Sequence, residues 1–309
     1  MPAYVTHWLF GDAVCQQLCG EPLEKILRQH RAAYDWGTQG PDLLFFRRAY
    51  LNPFNKVIQT GVRMHQAPVP PLLNAFLRYL RPRQGTPEGT RCLAYFMGFL
   101  THYVLDRSAH PYVYAMVEKR SPFTAPFEKK GLHHQIESAL DTIMCRERLG
   151  IRVQNFPLFF GLQNRRVHEN VASMLKRVIW ETMGEQIKKQ DIVRAFDDAL
   201  WCEEFLLDSK RCHQGIASFV DRVLVHGSMV TAMRKPEIPP FDAANKARLS
   251  WHHLNRPEQI SHETFQELFD KAVPEAVSLL GEATAHLRAG SLFEDVPMDS
   301  FDHGRPSER

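Results

Sequence analysis

The chain has 309 residues, with 38 Lys and Arg against 35 Asp and Glu, a net charge of +3, 44% hydrophobic residues and 24% charged ones. This is the make-up of an ordinary globular protein rather than a disordered or fibrous one, and the charge is too small to base function on bulk attraction to nucleic acid or an anionic membrane. The feature that stands out is a surplus of histidine, 15 in all, in the residue type that most often binds metals.

Apolar residues recur at helical spacing throughout, and period-two runs of β-branched residues are nearly absent, so the expected fold is all-α. In chain order the spacing predicts helices over Trp8 to Leu18, Leu23 to Tyr34, Pro71 to Leu80, Pro87 to Arg107, Leu132 to Leu149, Val167 to Met183, Ile187 to Asp208, Gly215 to Val225 and Thr264 to Arg288. The apolar run from Cys92 to Leu105 falls short of membrane-spanning length and reads as a buried core helix. KPEIPP at 235–240 is the best internal linker within one helical domain of residues 1–290, and 291–309 reads as a flexible tail. The N-terminal stretch has no secretory-signal pattern and the cysteines form no CxxC pair, which leads us to expect free thiols in a cytoplasmic protein.

Within the predicted core helix, GFLTHYVLDRSAHPYVY sets His102, Asp106 and His110 at i, i+4 and i+8, on one quadrant of the helix. Pro111 disfavours helical geometry at His110, which places that residue at a kink or helix end and turns it toward a second metal. The next helix repeats the pattern in GLHHQIESALD, where His133 and Glu137 are i, i+4 and Asp141 follows one turn later. Two helices carrying His-x3-carboxylate pairs can converge on a shared metal site, as helical metal bundles do. A lone pair of that kind is common on surfaces, but an unpartnered Asp106 in an apolar run is costly and demands a metal or hydrogen-bond partner. Imidazole and carboxylate ligands without thiolate suit zinc or another borderline divalent ion.

His7 in VTHWLFG and Asp42 in the Gly-Pro-Asp turn of WGTQGPDLLFF complete the set. A TH near the start, a GPD turn, an intervening histidine, H-x3-D-x3-H and then H-x3-E, in this order, resemble the zinc-dependent phospholipase C family, itself similar to the P1/S1-type nucleases in fold and metal site. The resemblance implies one multi-helix phospholipase C/P1 nuclease-like domain holding two or three zinc ions. Asp42, His65, His102 and Asp106 would hold the first, and His110, His133 and Glu137 the second. His7, with the chain's own N-terminus and a bridging Asp106, would hold the third. The chain begins Met-Pro, where the family's secreted members begin after processing with a tryptophan.

The implied chemistry is a metal-activated water attacking phosphorus in a phospholipid or small phosphate ester, with Asp42 orienting or deprotonating that water. Two other readings stand beside it. One is a P1/S1-like nuclease, the only reading in which nucleic acid is a partner. The other is a non-catalytic, metal-stabilised helical binding protein.

The remaining polar residues read as background. His134 points about 100° away from His133, as a supporting or surface residue. Asp141 either orients His133 or pairs with Arg146 or Lys130. His252 and His253 have no carboxylate at helical spacing, and His30, His168, His213, His226, His262, His286 and His303 read as surface or capping residues. Arg47-Arg48 and Lys119-Arg120 read as solvated faces. Phe45-Phe46, Phe159-Phe160 and Tyr112 to Tyr114 read as core, with Tyr112 or Tyr114 able to line a substrate groove.

Overall fold

A computed structural model describes residues 4–49, 51–52, 55–121, 126–158, 162–207, 229–253, 255–294 and 298–301. The described fold is all-α: α1 (Tyr4–Gln17), α2 (Pro22–Gln29), α3 (Arg31–Gly37), a 3₁₀ helix (Gly40–Phe46), α4 (Lys56–Gln66), α5 (Val69–Leu80), α6 (Pro87–Arg120), α7 (Pro126–Leu149), α8 (Arg165–Met183), α9 (Lys189–Leu207), α10 (Met229–Met233) and α11 (Phe265–Ala289). One short antiparallel hairpin, β1 (Trp251–His253) with β2 (Arg256–Ser261), lies outside the sequence expectation. The helix expected over Gly215 to Val225 and the pair Phe159-Phe160 lie outside the described residues.

The long helix α6 is the axis of the fold. Thr86 caps it by accepting from the Gly89 N–H, and Pro87 occupies the first turn, where its missing N–H costs nothing. It packs against α3, α11, α7, α1, α8 and β1, so apolar residues surround it rather than line one stripe. The crossing with α3 is close enough to require Gly37 and Gly98: a Cβ on Gly98 would lie 2.2 Å from the Tyr34 carbonyl oxygen, and one on Gly37 2.1 Å from that of Tyr95. No helix among the described residues is long and apolar enough to cross a membrane.

Three expectations change here. First, α6 does not end at His110 but runs through Pro111 to Arg120. The bond Pro111 cannot make is to the Arg107 carbonyl, and Arg107 lies on the half-exposed side, where water can take that place. His110 therefore stays in helical phase with His102 and Asp106. Second, the linker at 235–240 is tied down: Lys235 is buried in an ion pair with Asp141, and the Thr142 hydroxyl donates to the Pro236 carbonyl.

Third, the described part of the expected tail packs inward. Phe293 and Phe301 are buried, Asn74 exchanges two hydrogen bonds with the Phe293 backbone, and the Tyr103 hydroxyl donates to the Asp299 carbonyl. Polar composition hid the two phenylalanines that hold this segment. One hydrophobic core cluster accordingly runs from Tyr4 to Phe301.

Candidate metal centre

The 3₁₀ turn that presents Asp42 is shaped by Gly40. Its φ of +52° is left-handed, and a Cβ there would lie 2.3 Å from Cδ2 of His102, so only glycine fits. Pro41 then starts the 3₁₀ helix with a preset φ. The same loop wraps His102, whose Nδ1–H donates to the Thr38 carbonyl at 3.1 Å. At the far end of the turn, buried Arg47 bridges Asp191 and Asp198 of α9, each at 2.9 Å. Arg47 is thus a brace rather than the solvated residue expected.

His65 sits on α4, a helix the sequence reading missed. Asn55 caps α4 by accepting from the Val57 and Ile58 N–H groups, and its own amide donates to the Arg47 carbonyl. The His65 Nδ1–H donates to the Gly61 carbonyl one turn back at 2.8 Å, and the ring stacks on Phe45. This leaves its Nε2 at 3.1 Å from Asp42 Oδ1 and 3.8 Å from Asp106 Oδ2.

Asp106 is the hub. Its Oδ2 lies 3.1 Å from His102 Nε2, while its Oδ1 lies 3.1 Å from His7 Nε2 and 3.9 Å from His110 Nδ1. The His7 and His102 rings stack at 4.3 Å. On the other side, the His110 Nδ1–H donates to the Phe301 carbonyl at 2.9 Å, and its Nε2 is 3.6 Å from Glu137 Oε1, which is also 2.8 Å from His133 Nε2. Ligand-type atoms come together in three groups: Asp42, His65 and His102; His7, His102 and Asp106; and His110, His133 and Glu137.

The electrostatics are those of a buried ligand set. Burial, helped by the neighbouring His102, lowers the His7 pKa and favours the neutral, metal-binding imidazole. Burial alone would raise Asp106 and Glu137. The histidines around them prevail and hold both well below the usual carboxylate range, His102 and His110 for Asp106, His133 first for Glu137. His102, with Nδ1 bonded to the Thr38 carbonyl, turns its Nε2 toward Asp106 Oδ2. Both oxygens of Asp42, His102 Nε2 and Asp106 Oδ2 are buried with no hydrogen bond among the described residues. A shared divalent cation resolves this arrangement, and nitrogen and oxygen donors without thiolate fit zinc.

Among the other expected residues, His134 and Tyr112 lie as read, whereas Asp141 and His168 do not. His134 is buried 3.5 Å from Glu137, its pKa pushed down by burial to about 3. Asp141 neither orients His133 nor meets Arg146 or Lys130; it accepts from Val5, Thr6 and Lys235. Tyr112 is core and donates to the Ala243 carbonyl, while the Tyr114 ring lies 5.1 Å from His133 and 5.7 Å from His110. Far from a surface role, buried His168 stacks on Phe196 and bonds the Leu162 carbonyl.

Phe301 is the neighbour that sequence reasoning missed. Its ring lies 5.5 Å from His65 and 6.1 Å from His102, and its carbonyl fixes the His110 tautomer. No spacing pattern links it to the ligands. Among the described residues, the cysteines Cys15, Cys19, Cys92, Cys145 and Cys202 are all free.

No curated protein and no solved structure matches the chain significantly. The family model for zinc dependent phospholipase C matches residues 6–197, more than half the chain and a span that holds every candidate ligand side chain. The chain belongs to the zinc-dependent phospholipase C family.

Proposed function

We propose that the protein hydrolyses a phosphate ester, a phospholipid headgroup or a smaller ester of the same kind, at a centre of two or three zinc ions. What carries the reading is the set of buried, hydrogen-bond-deficient ligand atoms on Asp42, His102 and Asp106. Asp42, His65, His102 and Asp106 would hold one ion, and His110, His133 and Glu137 a second. His7 and Asp106 would serve a third. Bound zinc supplies positive charge for phosphate oxygens and acidifies water.

The chain's own residues do the rest. The Thr38, Gly61 and Phe301 carbonyls fix the His102, His65 and His110 rings, so the centre needs little rearrangement during reaction. Asp42 orients the attacking water and takes its proton, its Oδ1 3.1 Å from His65 Nε2 and its Oδ2 4.0 Å from His102 Nε2. The apolar walls of Phe45 and Phe301 keep bulk water from the phosphorus.

The test is a zinc count on purified protein, followed by assays on phosphatidylcholine, p-nitrophenyl phosphorylcholine and single-stranded DNA. Bound zinc with hydrolysis of the choline esters, abolished in Asp42→Asn, is expected. Cleavage of DNA alone would make the protein a nuclease. Zinc without turnover would make it a metal-stabilised binding protein.

A further inference from the structure

The first turn of a helix leaves backbone N–H groups without intrahelical partners. At the start of α1 two of these, on Val5 and Thr6, are taken by Asp141 of α7, far along the chain. Oδ1 accepts from the Thr6 N–H at 2.7 Å and the Thr6 hydroxyl at 2.8 Å, and Oδ2 accepts from the Val5 N–H at 3.3 Å. The Lys235 ammonium completes the carboxylate at 2.8 Å from Oδ2, with side chains 4% and 0% exposed, and Glu203 lies 3.9 Å behind it. Lys235 stands outside the span that matches the family.

We propose that Asp141 and Lys235 are positioning residues of the metal centre, setting where His7 meets Asp106. The proposal rests on the reading of His7 as a zinc ligand. α1 is buried on most sides by apolar residues, and such packing holds a helix in place without fixing its position along the axis to a fraction of an ångström. Directional, charge-assisted hydrogen bonds do. They act on Thr6, immediately before His7, whose Nε2 is 3.1 Å from Asp106 and whose ring stacks on His102.

Asp141 is one turn beyond Glu137 and two beyond His133, so α7 carries one ligand group and clamps the helix that carries another residue of the centre. Without Lys235 the buried Asp141 carboxylate would lose its counter-charge, and the grip on Thr6 with it.

The experiment measures zinc equivalents and affinities, by chelator competition, on the full chain, His7→Ala, Lys235→Met, Thr6→Val and Thr6→Ser. His7→Ala is expected to lose one equivalent. Lys235→Met is expected to bind that same equivalent about tenfold or more weakly while the others keep wild-type affinity, the size of effect seen for residues supporting a ligand. Thr6→Val, which keeps shape but loses the hydroxyl bond, moves the same site several-fold, and Thr6→Ser restores it.

Parallel weakening of every equivalent, or none, in both Lys235→Met and Thr6→Val would overturn the proposal while leaving His7 a ligand. Should Lys235→Met fail to fold, the Thr6 pair decides by the same criteria. A wild-type chain without zinc, or a His7→Ala chain with the full count, would instead overturn the zinc reading itself and the proposal with it.

Discussion

Gly40 lies against the imidazole of His102 so closely that a single methyl group cannot be placed between them. The Gly-Pro-Asp turn thus carries two requirements at one residue, a left-handed backbone and contact with a candidate zinc ligand. Gly40→Ala is expected to destabilise the protein by about 2 kcal/mol or more, the sum of backbone strain and a displaced ring. Urea unfolding measures the first effect, and a lowered zinc content measures the second.

Zinc removal should itself be destabilising. Asp42, His102 and Asp106 bury ligand atoms that make no hydrogen bond among the described residues, so chelation leaves their desolvation uncompensated. An ion held at 100 times its dissociation constant contributes about 2.7 kcal/mol by mass action. Calorimetry with and without chelator should show a clear fall in Tm in the wild type and a smaller one in Asp106→Asn, which keeps only the group of His110, His133 and Glu137 intact.

Phe301 offers a different test, because it acts on the centre from the far end of the chain. Phe301→Ala should cost about 3 kcal/mol or more in urea unfolding, the usual penalty for emptying a buried aromatic site. It should also weaken zinc at His110, His133 and Glu137, since the backbone that holds the His110 tautomer is no longer anchored. Unchanged zinc affinity in a folded Phe301→Ala chain would contradict that role.

Glu203 should make stability depend on pH. Burial raises its pKa to about 7, against the opposing pull of Lys235. The folded state therefore holds this proton more tightly than the unfolded one, whose pKa is near the ordinary glutamate value. Stability from this group falls as pH rises between that value and about 7, by roughly 3 kcal/mol in all. Glu203→Gln should be the more stable chain at pH 8 and lose its advantage toward pH 4.5, as read from urea midpoints across that range.

The all-α class, most helix positions and the two ligand-bearing segments were legible in the sequence because helical spacing is a local property. His102, Asp106 and His110 share a face at any place in space, and so do His133 and Glu137. α4 was missed although Val57, Ile58, Gly61 and Met64 keep helical spacing: the segment is short, its start depends on the Asn55 cap and its packing on the 3₁₀ turn. Pro111 argued locally for a break that burial of α6 among its neighbours overrides.

Whether His7, Asp42 and His65, from separate elements, meet the α6 pair was decided only by the tertiary structure, because that meeting depends on the Gly37–Gly98 crossing and on Gly40 lying against His102. The supports from Asp141, Lys235 and Phe301 were likewise hidden: contacts between residues far apart in the chain leave no periodicity to read. The sequence by itself determined which residues can bind metal, through residue type and spacing. Packing alone decided which of them are buried together, short of hydrogen bonds and held at ligand distance.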